Sequence, residues 1–315
     1  MKYLLQPSTD PHWNMAFDEF ALEGLSVDEP LFYLWQNAPA VIIGLNQSAY
    51  AEVNLPFLEA RGIVLARRVT GGGAVYHDLG NLNYSIAGPI STMENAYGIM
   101  AEALRKLGVP AERSGRNDIL VDGRKCSGYA KRLCKNRMMI HGTLMWDVNL
   151  EDLTQALAVP GSKLEAAGVA SVRSRVANLR DYLPGLPDIQ AFRDALQKIL
   201  ADHDEALVPD PSQLAAVGKM ADDKFRTWDW NFGRSPLTTF QATRKFACGT
   251  VTAHYTLQHG VFSEVYFSGD FIGARPASEL AAAMQGLRPD ALAALPVSDY
   301  FDSLTPSDFS SLFMG

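Results

Sequence analysis

The residues best suited to chemistry lie in four short segments of this sequence. The first, residues 67–78, places Arg67 and Arg68 just before Gly71, Gly72 and Gly73. Three consecutive glycines leave the backbone open to a ligand, and the N–H groups of such a turn bind anionic oxygens. Because no Gly-Lys-Ser/Thr follows, the segment is not a Walker A loop, and any nucleotide must be bound in another way.

The second segment joins Asp118, which follows Gly115-Arg116-Asn117, to Lys125, just past a predicted turn. A carboxylate suits Mg²⁺, and the compact lysine ammonium suits a phosphate together with the charge that develops on a carboxylate. The third segment is His141-Gly142-Thr143, within an apolar strand. The fourth, residues 171–178, is a loop rich in hydrogen-bond donors.

Taken singly, each segment is also typical of ordinary structure: a flexible turn, a surface hairpin, a buried core histidine or an exposed basic loop. Eight basic and three acidic residues lie between positions 111 and 140. In a chain of net charge −7, this local excess indicates an anionic small molecule or an acidic partner, or else a solvated basic face.

Composition narrows the class of protein. The 315 residues are 47% hydrophobic and 20% charged, as in globular enzymes, and the acidic balance argues against a nucleic-acid binder. Cys126, Cys134 and Cys248 have neither disulfide-framework nor zinc-site spacing, which favours a reducing compartment. With no signal-peptide core and no long apolar run, we predict a cytoplasmic protein without a membrane span.

Periodicity and turn residues predict the elements that position these segments. We expect helices over residues 14–25, 91–107 and 191–200, strands over 31–35, 41–44, 63–65 and 138–145, and hairpins around 122–123 and 258–260. Ser91 and Glu94 form a capping-box pattern for the second helix, and residues 203–223, with two prolines, are expected to be irregular. Because strands and helices mix without βαβ alternation, the predicted class is α+β.

In their order along the chain, these segments resemble the lipoate–protein ligase A family from end to end. The matching residues are Asn14-Met15-Ala16 with Asp18-Glu19, Arg67-Arg68 through Gly80-Asn81, Gly115-Arg116-Asn117-Asp118, Lys125 with Ser127-Gly128 and Ala130, His141 through Leu144, Ser171 through Leu179, and Trp228 through Gly233. So many motifs in one order make the resemblance specific.

The resemblance implies the biotin/lipoate A/B ligase fold, with mixed sheets and flanking helices over residues 1–236 and a small α+β accessory domain over 237–315. It makes Lys125 the essential residue, whereas the magnesium-ligand role of Asp118 rests on the preference of this cation for carboxylate oxygens. It assigns ATP and lipoate binding to Arg68, Gly71, Gly72, Gly73, Ala74, Val75, Tyr76, Asn81, Asn117, Lys125, His141, Gly142 and Thr143. It assigns a loop that covers the adenylate to Ser171, Arg173, Arg175 and Asn178.

The implied activity is an ATP-dependent, AMP-forming ligase. It would activate lipoate to lipoyl-AMP and transfer the lipoyl group to a lysine of lipoyl-domain proteins, such as 2-oxoacid dehydrogenase E2 subunits and the glycine cleavage H protein. ATP, Mg²⁺ and lipoate would take part without a tightly bound prosthetic group, and neither nucleic acid nor membrane would be a partner.

Three alternatives stay open on the sequence. An octanoyltransferase of the same fold needs a cysteine nucleophile, but residues 111–117 contain none and Pro160 is followed by glycine. A non-catalytic lipoyl-carrier-binding protein is expected to have lost Lys125, the glycines or Asn117-Asp118. A biotin ligase has the same fold, and some carry an N-terminal DNA-binding domain, whereas this chain begins directly with the catalytic motifs.

Overall fold

A computed structural model describes residues 1–25, 28–115, 117–157, 174–201 and 206–313. Its strands are β1 (Lys2–Tyr3), β2 (Leu31–Trp35), β3 (Ala40–Ile43), β4 (Val64–Arg67), β5 (Val75–His77), β6 (Asn81–Pro89), β7 (Ala111–Ser114), β8 (Asp118–Val121), β9 (Arg124–Cys134), β10 (Arg137–Met145), β11 (Thr238–Phe246), β12 (Gly249–Gln258) and β13 (Val261–Gly269). Its helices are α1 (Pro11–Glu23), α2 (Ala49–Glu52), α3 (Leu55–Arg61), α4 (Ile99–Lys106), α5 (Leu150–Ala156), α6 (Ile189–Leu200), α7 (Pro211–Met220), α8 (Ala277–Met284) and α9 (Pro306–Ser310).

Seven strands form the main sheet, in the order β1-β2-β6-β10-β9-β8-β7. The β1 and β2 strands are parallel and the other neighbours antiparallel. A smaller sheet, β4-β3-β5, packs beside it and carries the glycine segment between β4 and β5. This mixture of sheets and helices confirms the α+β prediction.

Hydrophobic cores cover both faces of the main sheet. On one face α4 and α6 pack against it, with Trp146 stacked on Phe192 at a ring-centroid distance of 4.9 Å. On the other face α1 and α7 enclose Phe17 and Tyr33. The β11-β12-β13 sheet has a core of its own with the C-terminal helices. Among the described residues, no helix is long and apolar enough to span a bilayer.

Two sequence predictions are corrected in this part of the structure. Within the predicted irregular stretch, residues 211–220 form α7 instead, because Asp210 caps this helix and Pro211 takes its first turn, where proline is favoured. The helix predicted over 91–107 is short, since it begins after Gly98. Residues 90–92 form a 3₁₀ turn in which the Thr92 hydroxyl, rather than a Ser91 cap, bonds the Pro89 carbonyl.

The predicted β8–β9 hairpin is confirmed, and its turn is the left-handed type that Asp-Gly favours. Asp122 has φ of 49° and Gly123 has φ of 73°. Lys125 is therefore held one residue beyond a tight turn, at the start of β9.

We expect Gly123→Ala to lower the free energy of unfolding by about 1–2 kcal/mol, the cost of a Cβ in left-handed backbone. Gly185→Ala is the matched control, because Gly185 has open space around it and no positive φ. Urea unfolding measures both, and equal stabilities would contradict the turn geometry.

Candidate active site

The candidate site lies over two rows of side chains that run across the main sheet. Strand register places Trp35 beside Asn83 and Asn83 beside Thr143, whose hydroxyl accepts a hydrogen bond from the Gly128 N–H at 3.3 Å. The second row is Tyr33, Ser85, His141 and Ala130. Since strands lie about 4.8 Å apart, the first row extends roughly 14 Å from Trp35 to Gly128.

The glycine segment forms the opposite wall, and Arg68 determines its conformation. The Arg68 guanidinium, which is 6% exposed, donates to the carbonyls of Gly71 at 2.7 Å and Gly73 at 2.8 Å, and to that of Ile42 at 3.0 Å. Burial lowers the pKa of Arg68 to about 10, so it stays charged at neutral pH. With these carbonyls turned inward, no described residue accepts from the N–H groups of Gly71, Gly72 or Gly73.

A buried chain of hydrogen bonds joins this wall to the sheet. Arg68 Nε donates to Thr70 Oγ1 at 3.0 Å, and Thr70 Oγ1 lies 2.7 Å from His141 Nε2. His141 Nδ1 lies 2.6 Å from Asp18 Oδ2, and the other Asp18 oxygen accepts from Tyr33 and Ser85. The carboxylate fixes the proton of His141 on Nδ1, which leaves Nε2 to accept from Thr70.

Lys125 stands at the far end of the cleft, paired with Asp118. Its Nζ lies 2.8 Å from Asp118 Oδ1, and a Cβ on Gly128 would come within 2.9 Å of the lysine Cε and Nζ. Glycine at 128 therefore makes room for this side chain. The backbone of Lys125 bonds that of Arg175 and Ala177, which ties the described end of the 171–178 segment to β9.

The other end of the cleft is apolar and is lined by Met15, Trp35 and Ile42. Between the two ends, two buried donors have no partner among the described residues: His77 Nε2 and Asn83 Nδ2. Burial, and then the charge of Arg68, lower the pKa of His77 to about 3, so this imidazole is neutral.

Neighbouring amides set the orientation of these two donors. The Asn37 amide donates to His77 Nδ1 at 3.0 Å, which leaves the His77 proton on Nε2. Asn81 donates to Asn83 Oδ1 at 2.8 Å, which leaves the Asn83 amide nitrogen free. Buried donors are nearly always paired, so these two indicate a ligand acceptor or an ordered water in the cleft.

Most of the residues predicted for ATP and lipoate binding line this one cleft, which has about 680 Å³ of empty volume. They are Arg68, Gly72, Gly73, Ala74, Val75, Asn117, Lys125, His141, Gly142 and Thr143. The structure thus brings together segments that are up to 75 residues apart in the chain, as the difference between positions 68 and 143 shows.

The other predicted residues lie outside the cleft lining. For three of them, Tyr76, Asn81 and Asn178, the contacts of the side chain explain this position. Tyr76 alternates with Val75 and His77 along β5, so its ring points into the core beneath. The Asn81 amide donates to Asn83 Oδ1 and is buried beside the strand row. Asn178 holds the backbone of Val148 through both side-chain atoms. The structure therefore places these three side chains outside the lining of the cleft.

Gly71, Asp118 and Arg175 lie next to the cleft without lining it: Gly71 accepts from Arg68, Asp118 pairs with Lys125, and Arg175 contributes a backbone carbonyl. Ser171 and Arg173 lie outside the described residues.

Sequence reasoning assigned no site role to Asn83, which lines the floor of the cleft, or to the buried Asp18 and Ser85, which are hydrogen-bonded to each other and, through Asp18, to the cleft residue His141. Asn83 and Ser85 alternate with apolar neighbours along β6, which is the pattern of a strand with one polar, site-facing side. Asp18 was visible as an acidic residue inside an otherwise apolar helix. Both signals could have identified these residues.

The predicted Mg²⁺ site at Asp118 fits the structure as a site shared with substrate phosphates. No cluster of three or more potential ligands occurs within the described residues. Mg²⁺ is commonly held by one or two carboxylates together with substrate phosphates. Asp118, with one oxygen on Lys125 and the other without a described partner, fits that kind of site and not an all-protein cage.

The geometry is that of a cleft for an apolar carboxylic acid beside a phosphate-bearing partner, and family comparison identifies its class. The family model of the lipoyl protein ligase A/B catalytic domain matches residues 10–201, and that of the bacterial lipoate protein ligase C-terminus matches residues 235–313. The chain belongs to the lipoate–protein ligase family, which confirms the resemblance.

Individual relatives agree over most of the chain. The lipoate-protein ligase LplJ of Bacillus subtilis is 34% identical over 323 residues, with 98% of each chain covered. A lipoate-protein ligase A structure bound with ATP is 29% identical, has a TM-score of 0.64, and covers 74% of this chain and 98% of its own.

Two Thermoplasma acidophilum structures are similar to the same extent. A bi-partite lipoate protein ligase, reported with its E2 lipoyl domain, is 30% identical with a TM-score of 0.66, covering 74% of this chain and 95% of its own. A ligase with bound lipoic acid is 29% identical with a TM-score of 0.63, covering 74% of this chain and 98% of its own.

We expect the Cys126→Ala, Cys134→Ala double variant to keep acyl-activating activity within about threefold, since a nucleophilic cysteine needs an accessible thiolate. Cys126 is fully buried, and burial raises the pKa of its thiol to about 12. Initial rates and mass spectrometry of the intact protein provide the test. Loss of activity in a folded variant, with an acyl thioester on either cysteine of the wild type, would contradict it.

Proposed function

We propose that this protein is an ATP-dependent lipoate–protein ligase. It activates lipoate to lipoyl-AMP with release of pyrophosphate, and then transfers the lipoyl group to a lysine of an acceptor protein. The observation that carries the proposal is one cleft with an apolar end at Trp35, a free row of glycine N–H groups and a lysine–aspartate pair at the other end.

The cleft orients the acyl substrate by its chemistry. The apolar part of lipoate lies toward Met15, Trp35 and Ile42, where burial of hydrocarbon is favourable. The carboxylate then lies toward Lys125, across the roughly 14 Å of the strand row. The free donors of His77 and Asn83 lie along the path between the two ends and supply hydrogen bonds to substrate acceptors.

In the first half-reaction a carboxylate oxygen of lipoate attacks the α-phosphorus of ATP, and the bond to pyrophosphate breaks. Lys125 brings the two anionic reactants together, and the N–H groups of the glycine segment hold phosphate oxygens. Asp118 would hold Mg²⁺ on the ATP phosphates, where the ion, when bound, neutralises charge.

In the second half-reaction the acceptor lysine amine attacks the acyl carbon, AMP leaves, and the amine loses a proton. We propose lipoyl domains of E2 subunits and the glycine cleavage H protein as acceptors. The E2 lipoyl domain studied with the Thermoplasma acidophilum ligase supports the first of these. The three cysteines are free thiols, which supports a cytoplasmic location.

We also propose the predicted residues that line the cleft, together with Asp118 and the 171–178 segment, as the binding site. The bond between the backbones of Lys125 and Arg175 supports a role for this segment beside the adenylate. The proposed domain boundary between residues 236 and 237 is supported by the separate core beneath β11-β12-β13.

Lipoate-dependent exchange of labelled pyrophosphate into ATP tests the proposed reaction, with octanoate and biotin as competing acids. We expect exchange with lipoate and none with biotin. Acyl transfer from an acyl-carrier thioester to a lipoyl domain without ATP would replace this proposal by the octanoyltransferase reaction. Binding of lipoyl domains without any exchange would replace it by a non-catalytic carrier-binding role.

We expect Lys125→Ala to slow adenylate formation by two to three decades, about 2.7–4 kcal/mol, because a clamp on transition-state charge is lost. Lys125→Arg should slow adenylate formation as well, because a broad planar guanidinium does not replace a compact ammonium.

Lys131→Ala is the matched control, since Lys131 lies on the same strand but contacts Tyr97 instead of the cleft. Pyrophosphate release gives the rates and thermal melting reports folding. A folded Lys125→Ala enzyme within about threefold of wild type would remove Lys125 from the mechanism.

A further inference from the structure

Among the described residues, Arg67 has the largest fully buried side chain, and it has no place in the mechanism above. Its side-chain nitrogens donate to six groups in two separate segments. One set is the carbonyls of Gly44, Leu45 and Gln47, and the other is the carbonyls of Trp230 and Asn231 with the hydroxyl of Ser235.

Arg67 is a buried cation held by backbone dipoles. Among the described residues, no carboxylate lies within ion-pair distance of it. Burial, and then the charge of Arg234, lower its pKa to about 10, so it remains charged at neutral pH. A buried charge without hydrogen-bond partners is costly, so the Arg67 cation retains these acceptors. Both segments are therefore held in place relative to the guanidinium.

The first segment, residues 44–47, is the support of the glycine wall. A Cβ on Gly44 would come within 2.1 Å of the Gly72 carbonyl oxygen, and the Leu45 N–H donates to the Thr70 carbonyl at 2.8 Å. Any displacement of this support therefore moves the N–H groups of Gly71 to Gly73.

The second segment, residues 228–235, leads into the β11-β12-β13 region and contacts it. Arg288 lies over the Trp228 ring at 4.2 Å, and a Cβ on Gly260 would meet that ring at 2.9 Å. The contact with Arg67 is reciprocal: Trp230 Nε1 donates to the Arg67 carbonyl at 2.8 Å, and Asn231 Oδ1 accepts from the Arg67 N–H at 2.8 Å.

We propose that Arg67 is a positioning residue for the ATP-binding glycine wall, and that it sets this wall relative to the segment bearing the C-terminal region. The proposal rests on the proposed function, in which the wall binds ATP phosphates. It predicts a selective effect: loss of the Arg67 contacts weakens ATP binding and leaves lipoate binding, which depends on the sheet and Trp35, nearly unchanged.

The test compares Arg67→Lys and Arg67→Ala with Arg137→Lys. Arg137 is a matched control because its guanidinium also donates to backbone carbonyls, those of Leu22 and Ala21, away from the glycine wall. Lysine keeps the charge but has three donors on one nitrogen, too few for both segments. We expect the KM for ATP in pyrophosphate exchange to rise about tenfold in Arg67→Lys, and the KM for lipoate to change less than about twofold.

Millimolar guanidinium should partly restore the low KM for ATP in Arg67→Ala, whereas sodium at equal ionic strength should not. If Arg67→Ala does not fold, Arg67→Lys decides the question alone. A folded Arg67→Lys with unchanged KM for ATP would overturn the proposal. So would equal rises in both KM values, or a fall in kcat alone that matches the unfolded fraction, because each would mean a purely structural role.

Calorimetric titration with ATP separates this inference from the proposed function. If the wild type binds ATP but catalyses no lipoate-dependent exchange, the proposed reaction fails. The Arg67 inference is then judged by binding alone, where an unchanged Kd in Arg67→Lys overturns it and a weaker one supports it.

Discussion

A buried guanidinium needs a partner for each of its donors, and Arg68 satisfies this need with the carbonyl groups of the glycine segment. That single requirement turns the carbonyls inward and leaves the glycine N–H groups without an acceptor among the described residues, as the proposed binding of phosphate oxygens requires. Thr70 and His141 continue the network to the buried carboxylate of Asp18. This network connects the wall of the cleft to the floor of the sheet.

The antiparallel sheet supplies the second half of the arrangement. Because register places Trp35, Asn83 and Thr143 side by side, an apolar group and polar groups lie at opposite ends of one row. The β8–β9 hairpin adds Lys125 and Asp118 at the charged end. Binding energy from the acyl chain can thus be used to bring a carboxylate to the place where phosphate is held.

Local signals predicted the α+β class and the Asp122-Gly123 hairpin, because turn chemistry acts over short distances, and the family resemblance predicted most of the cleft lining. Local signals did not predict the structure at positions where capping residues or tertiary contacts decide it. Pro211 indicates a helix breaker but starts α7 once Asp210 caps it. Tyr76 belongs to a binding motif, yet the two-residue period of β5 points it into the core. The alternation along β6 indicates that Asn83 faces a polar side of the sheet, but its place beside Trp35 and Thr143 follows from strand pairing with β2 and β10, which is tertiary.

The central claim is that the protein activates a carboxylic acid by adenylation. Lipoate labelled with heavy oxygen in its carboxylate tests this claim most directly, in a complete reaction with ATP and a lipoyl domain. If the carboxylate oxygen attacks the α-phosphorus, mass spectrometry will find one label in the AMP released and none in pyrophosphate. Label in inorganic phosphate with formation of ADP, or lipoylated acceptor with unlabelled AMP, would contradict the account.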